Sequence, residues 1–428
     1  MSERLALLGG EKSFTMIEEL HEANRWPVIG DEEVEAVRAA MLDPSIYAPI
    51  AAFEQDFAAY TGSKFVLATN NGSSAIHSAY FAAGVGPGDE VICPSYTWHM
   101  QISQIPALHA IPVFCDIDPK DATISVEDIK RRISPHTKAI AIVHPFGAVC
   151  PMDEIMAVAR EHNLPVIEDC SHAHGALYKG RKVGTIGDIG CFSLQASKLL
   201  CAVEGGVMVT DNEEYYERAV VLGHYERIPK LTMEKHRRFY TEKVGAPACF
   251  GFKYRIHPWA AAFARVELAK LDKMNASRRA NLEYLTEGLR ALGDGFEPPY
   301  EAPGTKRTWL NYVCQYYEGR MGGVARERFI EALNAEGLPV SGGRTGYLPV
   351  YYNPLFEERV GMWGEDCPFD CCHTHRRVEY NRGDCPEAEV FWTRTVGLPV
   401  FPHPCDRSLL DQVIGTVGKV IRGIGELQ

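Results

Sequence analysis

Three short segments carry residue types that can do chemistry together. Ala68-Thr69-Asn70-Asn71-Gly72-Ser73-Ser74-Ala75 follows an apolar run, Phe65 to Leu67, and opens a helical pattern through Ser78 and Ala82. Gly72 and Ser73 therefore fall at a helix N-terminus, where free backbone N–H groups and a hydroxyl suit an anion or a phosphate. The plainer reading is a serine N-cap. Glu168-Asp169-Cys170-Ser171-His172-Ala173-His174 follows Pro165 to Ile167 and sets carboxylates and imidazoles just beyond a strand. Such a cluster suits an active site, or else Asp169 simply caps a helix. Cys191-Phe192-Ser193-Leu194-Gln195-Ala196-Ser197-Lys198 places a lysine after another strand, among small and apolar residues. Desolvation there would make the amine more nucleophilic, whereas a solvated loop lysine is the commoner outcome.

These pieces fit one chemistry. A phosphate cradle, an aspartate and a lysine, all after strands of one sheet, are what pyridoxal 5'-phosphate (PLP) needs. The lysine forms a Schiff base with the aldehyde, and the aspartate keeps the pyridine nitrogen protonated so that the ring is an electron sink. Trp98, in Pro94-Ser95-Tyr96-Thr97-Trp98 after a further strand, is placed to stack on the ring.

Other motifs argue for less. Gly84, Gly86 and Gly88 follow a helix and precede a strand. That is the reverse of a dinucleotide loop, and they read as a helix C-cap and turn. No Walker A pattern is present. Cys367, Cys371, Cys372, His373, His375 and Cys385 lie close together but lack paired Cys-x-x-Cys or Cys/His knuckles. The segment is expected to be a packed loop on the substrate side, without a metal.

The elements that must position these residues alternate. Short apolar runs at Phe65–Ala68, Glu90–Cys93, Ile111–Cys115, Ala139–Val143, Pro165–Ile167, Gly190–Ser193 and Gly206–Thr210 are separated by helix-like segments such as 152–162. This predicts an α/β fold with a mostly parallel central sheet covered on both faces. Ligands bind beyond the carboxyl ends of such strands, where the polar residues above lie. A long helical pattern from Pro258 to about Leu292 predicts a joining helix. It divides the chain into a large cofactor-binding domain, residues 1–265 with an N-terminal arm, and a smaller α+β domain, residues 266–428. In the latter, 309–313 reads as a strand, 325–336 and 408–424 as helices, and 342–404 as irregular.

Composition excludes other classes. Of 428 residues, 46% are hydrophobic and 23% charged, and the net charge is −12. That is globular and acidic, so nucleic acid and anionic membranes are not expected partners. The 13 cysteines include several in strand-like runs, and no apolar run approaches a membrane span or a signal-peptide core. A cytoplasmic protein with free thiols is expected.

In their order along the chain these motifs resemble the DegT/StrS-type aminotransferases, the nucleotide-sugar and aminocyclitol branch of fold-type I PLP enzymes. The resemblance rests on Asn71-Gly72-Ser73, Gly84 to Ile92, Glu168-Asp169 with His174-Gly175-Ala176, Phe192-Ser193 with Lys198, Glu204-Gly205-Gly206 and Gly251-Phe252-Lys253-Tyr254-Arg255. It implies Lys198 as the Schiff-base lysine and Asp169 as partner of the pyridine nitrogen. It also implies His172 beside the cofactor's phenolic oxygen, Gly72, Ser73 and Ser193 as phosphate ligands, and Trp98 on the ring. The family commonly has Gly-x-Asn-x-Arg at 251–255, with the Asn reaching the partner subunit's phosphate. Lys253 stands there instead, a cationic contact in a shared-site homodimer. The resemblance further implies ping-pong transfer of an amino group from L-glutamine or L-glutamate to a keto-cyclitol or keto-sugar. The opening Leu5-Ala6-Leu7-Leu8-Gly9-Gly10 and the aromatic late loop resemble the scyllo-inosose aminotransferase branch, which uses glutamine. An aminohydroxybenzoate-type enzyme, a sugar dehydratase and a non-catalytic regulator share this fold. Lys198 counts against the dehydratase, where histidine replaces it, and the intact Lys198, Asp169 and Ser193 count against the regulator.

Overall fold

The structure is a computed structural model that describes residues 4–241, 246–247, 250–342, 347–362, 364, 366–375 and 377–428. Seven strands form the large sheet: β1 (Phe65–Thr69), β2 (Glu90–Pro94), β3 (Ile111–Cys115), β4 (Thr137–Val143), β5 (Val166–Asp169), β6 (Ile189–Ser193) and β7 (Gly206–Thr210). Their order is β1-β7-β6-β5-β4-β2-β3. Only β7 runs against its neighbours, pairing antiparallel with β1 and β6. The other pairs are parallel.

Alternation along each strand feeds two cores. Val91, Cys93, Ala139 and Ala141 face one layer, built on helices α4 (Gly72–Ala82) and α6 (Glu213–Gly223). Ile92, Ile140 and Ile142 face the other, built on α3 (Ala48–Thr61), α5 (Met152–Glu161) and the first half of α7 (Pro258–Arg290). Burial on both faces is why these strands read as continuous apolar runs.

Helix α7 starts with Pro258 at its first turn, capped by His257, whose Nδ1 accepts from the Trp259 N–H at 3.3 Å. Its 33 residues cross from one core to another. Ala261, Ala264, Leu268 and Leu271 pack on the large sheet, while Leu282, Leu285 and Leu289 enter a third core. That core lies on a second sheet of β8 (Phe296–Glu297), β9 (Tyr312–Tyr316), β10 (Ser341–Gly342) and β11 (Thr395–Leu398), ordered β8-β9-β11-β10 and antiparallel throughout. Helices α8 (Arg326–Ala335) and α10 (Arg407–Arg422) cover it.

Two segments pack away from their sequence neighbours. Leu5, Phe14 and Leu20 of the N-terminal arm join the third core. Conversely, Val350, Tyr351, Phe356, Phe369 and Val378 from the late loop join the large-sheet core. The strand expected at 309–313 lies slightly later, as β9. The region expected to be irregular contains α9 (Pro386–Arg394) and β11. Helix α9 escapes a local reading because its cap is remote: the Asp116 carboxylate, after β3, accepts from the N–H groups of Glu387 at 3.0 Å and Ala388 at 2.9 Å. Among the described residues, no helix is long and apolar enough to cross a membrane.

Candidate active site

The carboxyl ends of the large-sheet strands open into a cleft of about 920 Å³. Gly72, Ser73, Trp98, Asp169, His172, Ser193 and Lys198 all line it. Residues from four separate turns thus meet where a doubly wound sheet binds its ligands.

The anion cradle depends on a close approach. Asn71 caps α4, its Oδ1 accepting from the Ser74 N–H at 2.8 Å, so the plain capping role falls to Asn71 and Ser73 is left facing the cleft. A Cβ on Gly72 would sit 2.6 Å from the Ser193 Cβ, and one on Gly206 would sit 2.4 Å from the Asn71 carbonyl oxygen. Only glycine at both positions lets the α4 N-terminus press against β6 and β7. The result is a helix N-terminus with two hydroxyls, Ser73 and Ser193, beside it.

Glu168 and Asp169 are adjacent in β5 and serve opposite faces of the sheet. Glu168 is fully buried and accepts from the N–H groups of Gly184, Ile186 and Gly187 at 2.6–2.8 Å and pairs with His144 Nε2 at 3.1 Å. It is a structural carboxylate. Asp169 faces the cleft, where burial pushes its carboxyl up, opposed by hydrogen bonds from Ser171 and by the positive charge of Lys198. Burial in turn holds Lys198 below an ordinary lysine, and the Asp169 charge partly restores it. The amine is therefore easier to deprotonate than a surface lysine.

His172 stands in an aromatic stack. Its ring lies 13° from the plane of Phe146 and 28° from that of Tyr347, with centroids 6.3 and 5.8 Å away. The Phe146 N–H donates to Nδ1 at 3.4 Å, which assigns the proton to Nε2, 3.3 Å from the Tyr347 hydroxyl. Burial and the nearby Lys198 charge hold its pKa well below the usual histidine range, so the ring is neutral. His174, by contrast, packs against Phe192 outside the cleft lining, its pKa held down to about 3 by burial.

This arrangement has relatives. The sequence profile of the DegT/DnrJ/EryC1/StrS aminotransferase family matches residues 27–417. The chain belongs to that family. It is 34% identical, over 88% of its length and 87% of the relative's, to the L-glutamine:2-deoxy-scyllo-inosose aminotransferase of Streptoalloteichus tenebrarius. It is 32% identical to the spore coat polysaccharide biosynthesis protein SpsC of Bacillus subtilis, covering 93% of this chain and 96% of that one. Among solved structures, an aminotransferase from Psychrobacter cryohalolentis superposes with a TM-score of 0.80 at 28% identity, covering 94% of this chain and 99% of the other. A 3-amino-5-hydroxybenzoic acid synthase superposes with a TM-score of 0.75 at 26% identity, covering 93% and 98%.

The protein is thus a PLP-dependent aminotransferase of fold-type I. The cleft fits the cofactor. The glycine-floored helix N-terminus suits a phosphate, the buried Asp169 suits a pyridinium, and the desolvated Lys198 suits an aldehyde. Trp98 lines the cleft and is half exposed.

Lys253 does not join the others within the chain. It is exposed, on the segment where Arg255 bridges to Thr69 and the Tyr254 carbonyl accepts from the Asn70 N–H at 2.6 Å. The cleft also contains residues that the sequence did not flag. Gln101, Gln195, Asn311 and Tyr347 line it from four parts of the chain. Nothing in their local spacing marks them, and Asn311 and Tyr347 arrive only because the segment before β9 and the late loop fold back over the sheet.

Proposed function

We propose that this aminotransferase moves an amino group from L-glutamine to a keto-cyclitol. The observation that carries the reading is the shared cleft of Lys198, Asp169 and the Gly72–Ser73 cradle. The name of the Streptoalloteichus relative supports the donor and acceptor. Bound PLP supplies an electron sink for the carbanion formed at the donor's α-carbon. Lys198 would hold the cofactor's aldehyde carbon, and its free amine would move a proton between the donor α-carbon and the cofactor's C4' carbon. Its depressed pKa keeps that amine available as a base. Asp169 holds the proton on the pyridine nitrogen. Ser73, Ser193 and the α4 N-terminus hold the phosphate, and His172 gives a neutral hydrogen bond at the phenolic oxygen. Trp98 covers the ring.

The acceptor side is polar and carries several hydrogen-bonding groups. Gln195, Asn311, Glu204 and the Tyr347 region offer partners to a polyhydroxylated ring, the kind of site that rejects analogues lacking those hydroxyls. Two copies would share the sites as a homodimer, with Lys253 of each copy reaching toward the other's phosphate. The described cysteines are all thiols, which suits the cytoplasm.

The test is product analysis by mass spectrometry after incubation of the holoenzyme with L-glutamine and scyllo-inosose or its 2-deoxy analogue. An amino-cyclitol supports the reading. Turnover only with nucleotide-linked keto-sugars, or formation of an aminohydroxybenzoate as in the structural neighbour, replaces it.

A further inference from the structure

A second cavity, of about 450 Å³, opens between the loops after β3 and β4 of the large sheet and strands β8 and β9 of the second sheet. That volume suits a small metabolite. Arg290, Arg307 and Arg394 line it, from the end of α7, the segment before β9 and the end of α9. Among the described residues, none of these three guanidinium groups forms an ion pair.

Two of the lining side chains are buried with donors unused. Arg307 is 4% exposed and Gln315, on β9, is 7% exposed. Arg307 Nη1 donates to the Tyr300 carbonyl at 2.6 Å and Nη2 to the Phe146 carbonyl at 3.5 Å. Among the described residues its Nε–H has no acceptor, and neither has Gln315 Nε2. A desolvated guanidinium and amide that line a cavity in this state lack an anion. The carboxylates on the same walls do not supply it. Glu297 pairs with Arg320, and Asp121 Oδ1 accepts from the Thr123 N–H at 3.0 Å and from its hydroxyl at 2.7 Å. Glu387 and Lys120 are exposed at the rim, where solvent and salt screen them.

We infer that this cavity is a second binding site, for a small molecule bearing a carboxylate or phosphate group. The Arg307 Nε–H and Gln315 Nε2 donate to its oxyanion, and Arg290 and Arg394 add positive charge at the walls. A guanidinium paired with an oxyanion makes the charge-assisted contact that the buried Arg307 lacks. The site is separate from the cofactor cleft but shares a wall with it. Phe146 lines the cavity, and its N–H donates to His172 Nδ1 at 3.4 Å in the cleft. Its backbone is held at φ 53°, a conformation uncommon for a bulky residue. Arg307 thus touches the residue that holds His172.

The test is isothermal titration calorimetry of the full-chain, PLP-saturated holoenzyme with sodium phosphate and, separately, sodium succinate, at constant ionic strength in chloride. The expected result is saturable binding of about one anion per chain. Affinity should fall roughly tenfold or more in Arg394→Ala and in Gln315→Leu, as loss of a contact to a charged group implies, with bound PLP per chain unchanged. Arg307→Met should abolish binding. Because that buried variant can fail to fold, the half-buried Arg394 keeps the test decisive. Saturation by phosphate alone assigns a phosphorylated ligand, and by succinate alone a carboxylate; each supports the site. No saturable heat with either anion, or wild-type affinity in both Arg394→Ala and Gln315→Leu, would overturn it, the latter by placing the anion outside this cavity.

Discussion

The indole N–H of Trp26 donates to the backbone carbonyl of Lys198 at 3.1 Å, across 172 residues of sequence. The Arg278 guanidinium of α7 lies over the same indole, 5.3 Å from the ring centroid. The turn that carries the reactive amine, closed by the Lys198 N–H to the Gln195 carbonyl at 2.8 Å, is therefore braced by the N-terminal segment and by the helix between the two cores.

Trp26→Phe keeps an aromatic ring and removes the hydrogen bond, at a cost of about 1 kcal/mol. Expressed in the positioning of Lys198, that is roughly a fivefold slower donor half-reaction with unchanged PLP content. Single-turnover kinetics with L-glutamine check it; a wild-type rate would show that the bond does not position the lysine.

Gly72→Ala places a methyl 2.6 Å from the Ser193 Cβ and 2.9 Å from its Cα. Backbone must move, at about 1–3 kcal/mol, and the anion cradle opens. PLP affinity, measured by equilibrium dialysis of the apoprotein, is expected to fall tenfold or more, as about 1.4 kcal/mol implies. Unchanged affinity would place the phosphate elsewhere.

The pH dependence of PLP capture follows from Lys198. Burial lowers its pKa from 10.5, so the neutral amine accumulates at a lower pH than for a free lysine. The capture rate by apoprotein should rise with pH through a midpoint below that value. Asp169→Asn removes the charge that supports the ammonium, so the midpoint should fall further. A midpoint that rises in the variant would contradict the pairing.

Acid should loosen the N-terminal arm. The buried Glu336 carboxylate accepts from the Ala6 N–H at 2.8 Å, the Ser13 N–H at 3.0 Å and the Lys419 ammonium at 2.9 Å. These contacts depress its folded pKa below 4.5, against the opposing effect of burial. A depressed carboxyl stabilises the fold above its unfolded pKa and loses that contribution as pH falls through the folded value. Glu336→Gln leaves Lys419 buried without its counter-charge, at about 3–5 kcal/mol. Denaturant melts at neutral pH should show that loss, and the variant's stability should change less than the wild type's on acidification below 4.5.

Much of this was legible in the sequence, for physical reasons. The large-sheet strands announce themselves because both faces are buried, and Lys198, Asp169 and Ser193 follow strands by a local rule. Sequence singled out Asp169 but gave the adjacent Glu168 no role, because only strand alternation in the folded sheet sends the Glu168 carboxylate to the N–H groups of the loop at 184–187. It missed α9 because Pro386 and the neighbouring cysteine read as loop while the capping carboxylate is Asp116. Tyr347, Asn311 and Trp26 reach Lys198 and its cleft only through long-range packing, and His109 meets the late loop the same way.

The most direct test of the account is rapid-mixing absorbance of the holoenzyme with L-glutamine, with Lys198→Ala in parallel. The visible band of bound PLP should bleach within a single turnover in the wild type, more slowly with L-glutamate, and not at all in Lys198→Ala that still binds PLP. A wild-type band indifferent to both donors, or a variant that bleaches at the wild-type rate, would contradict it.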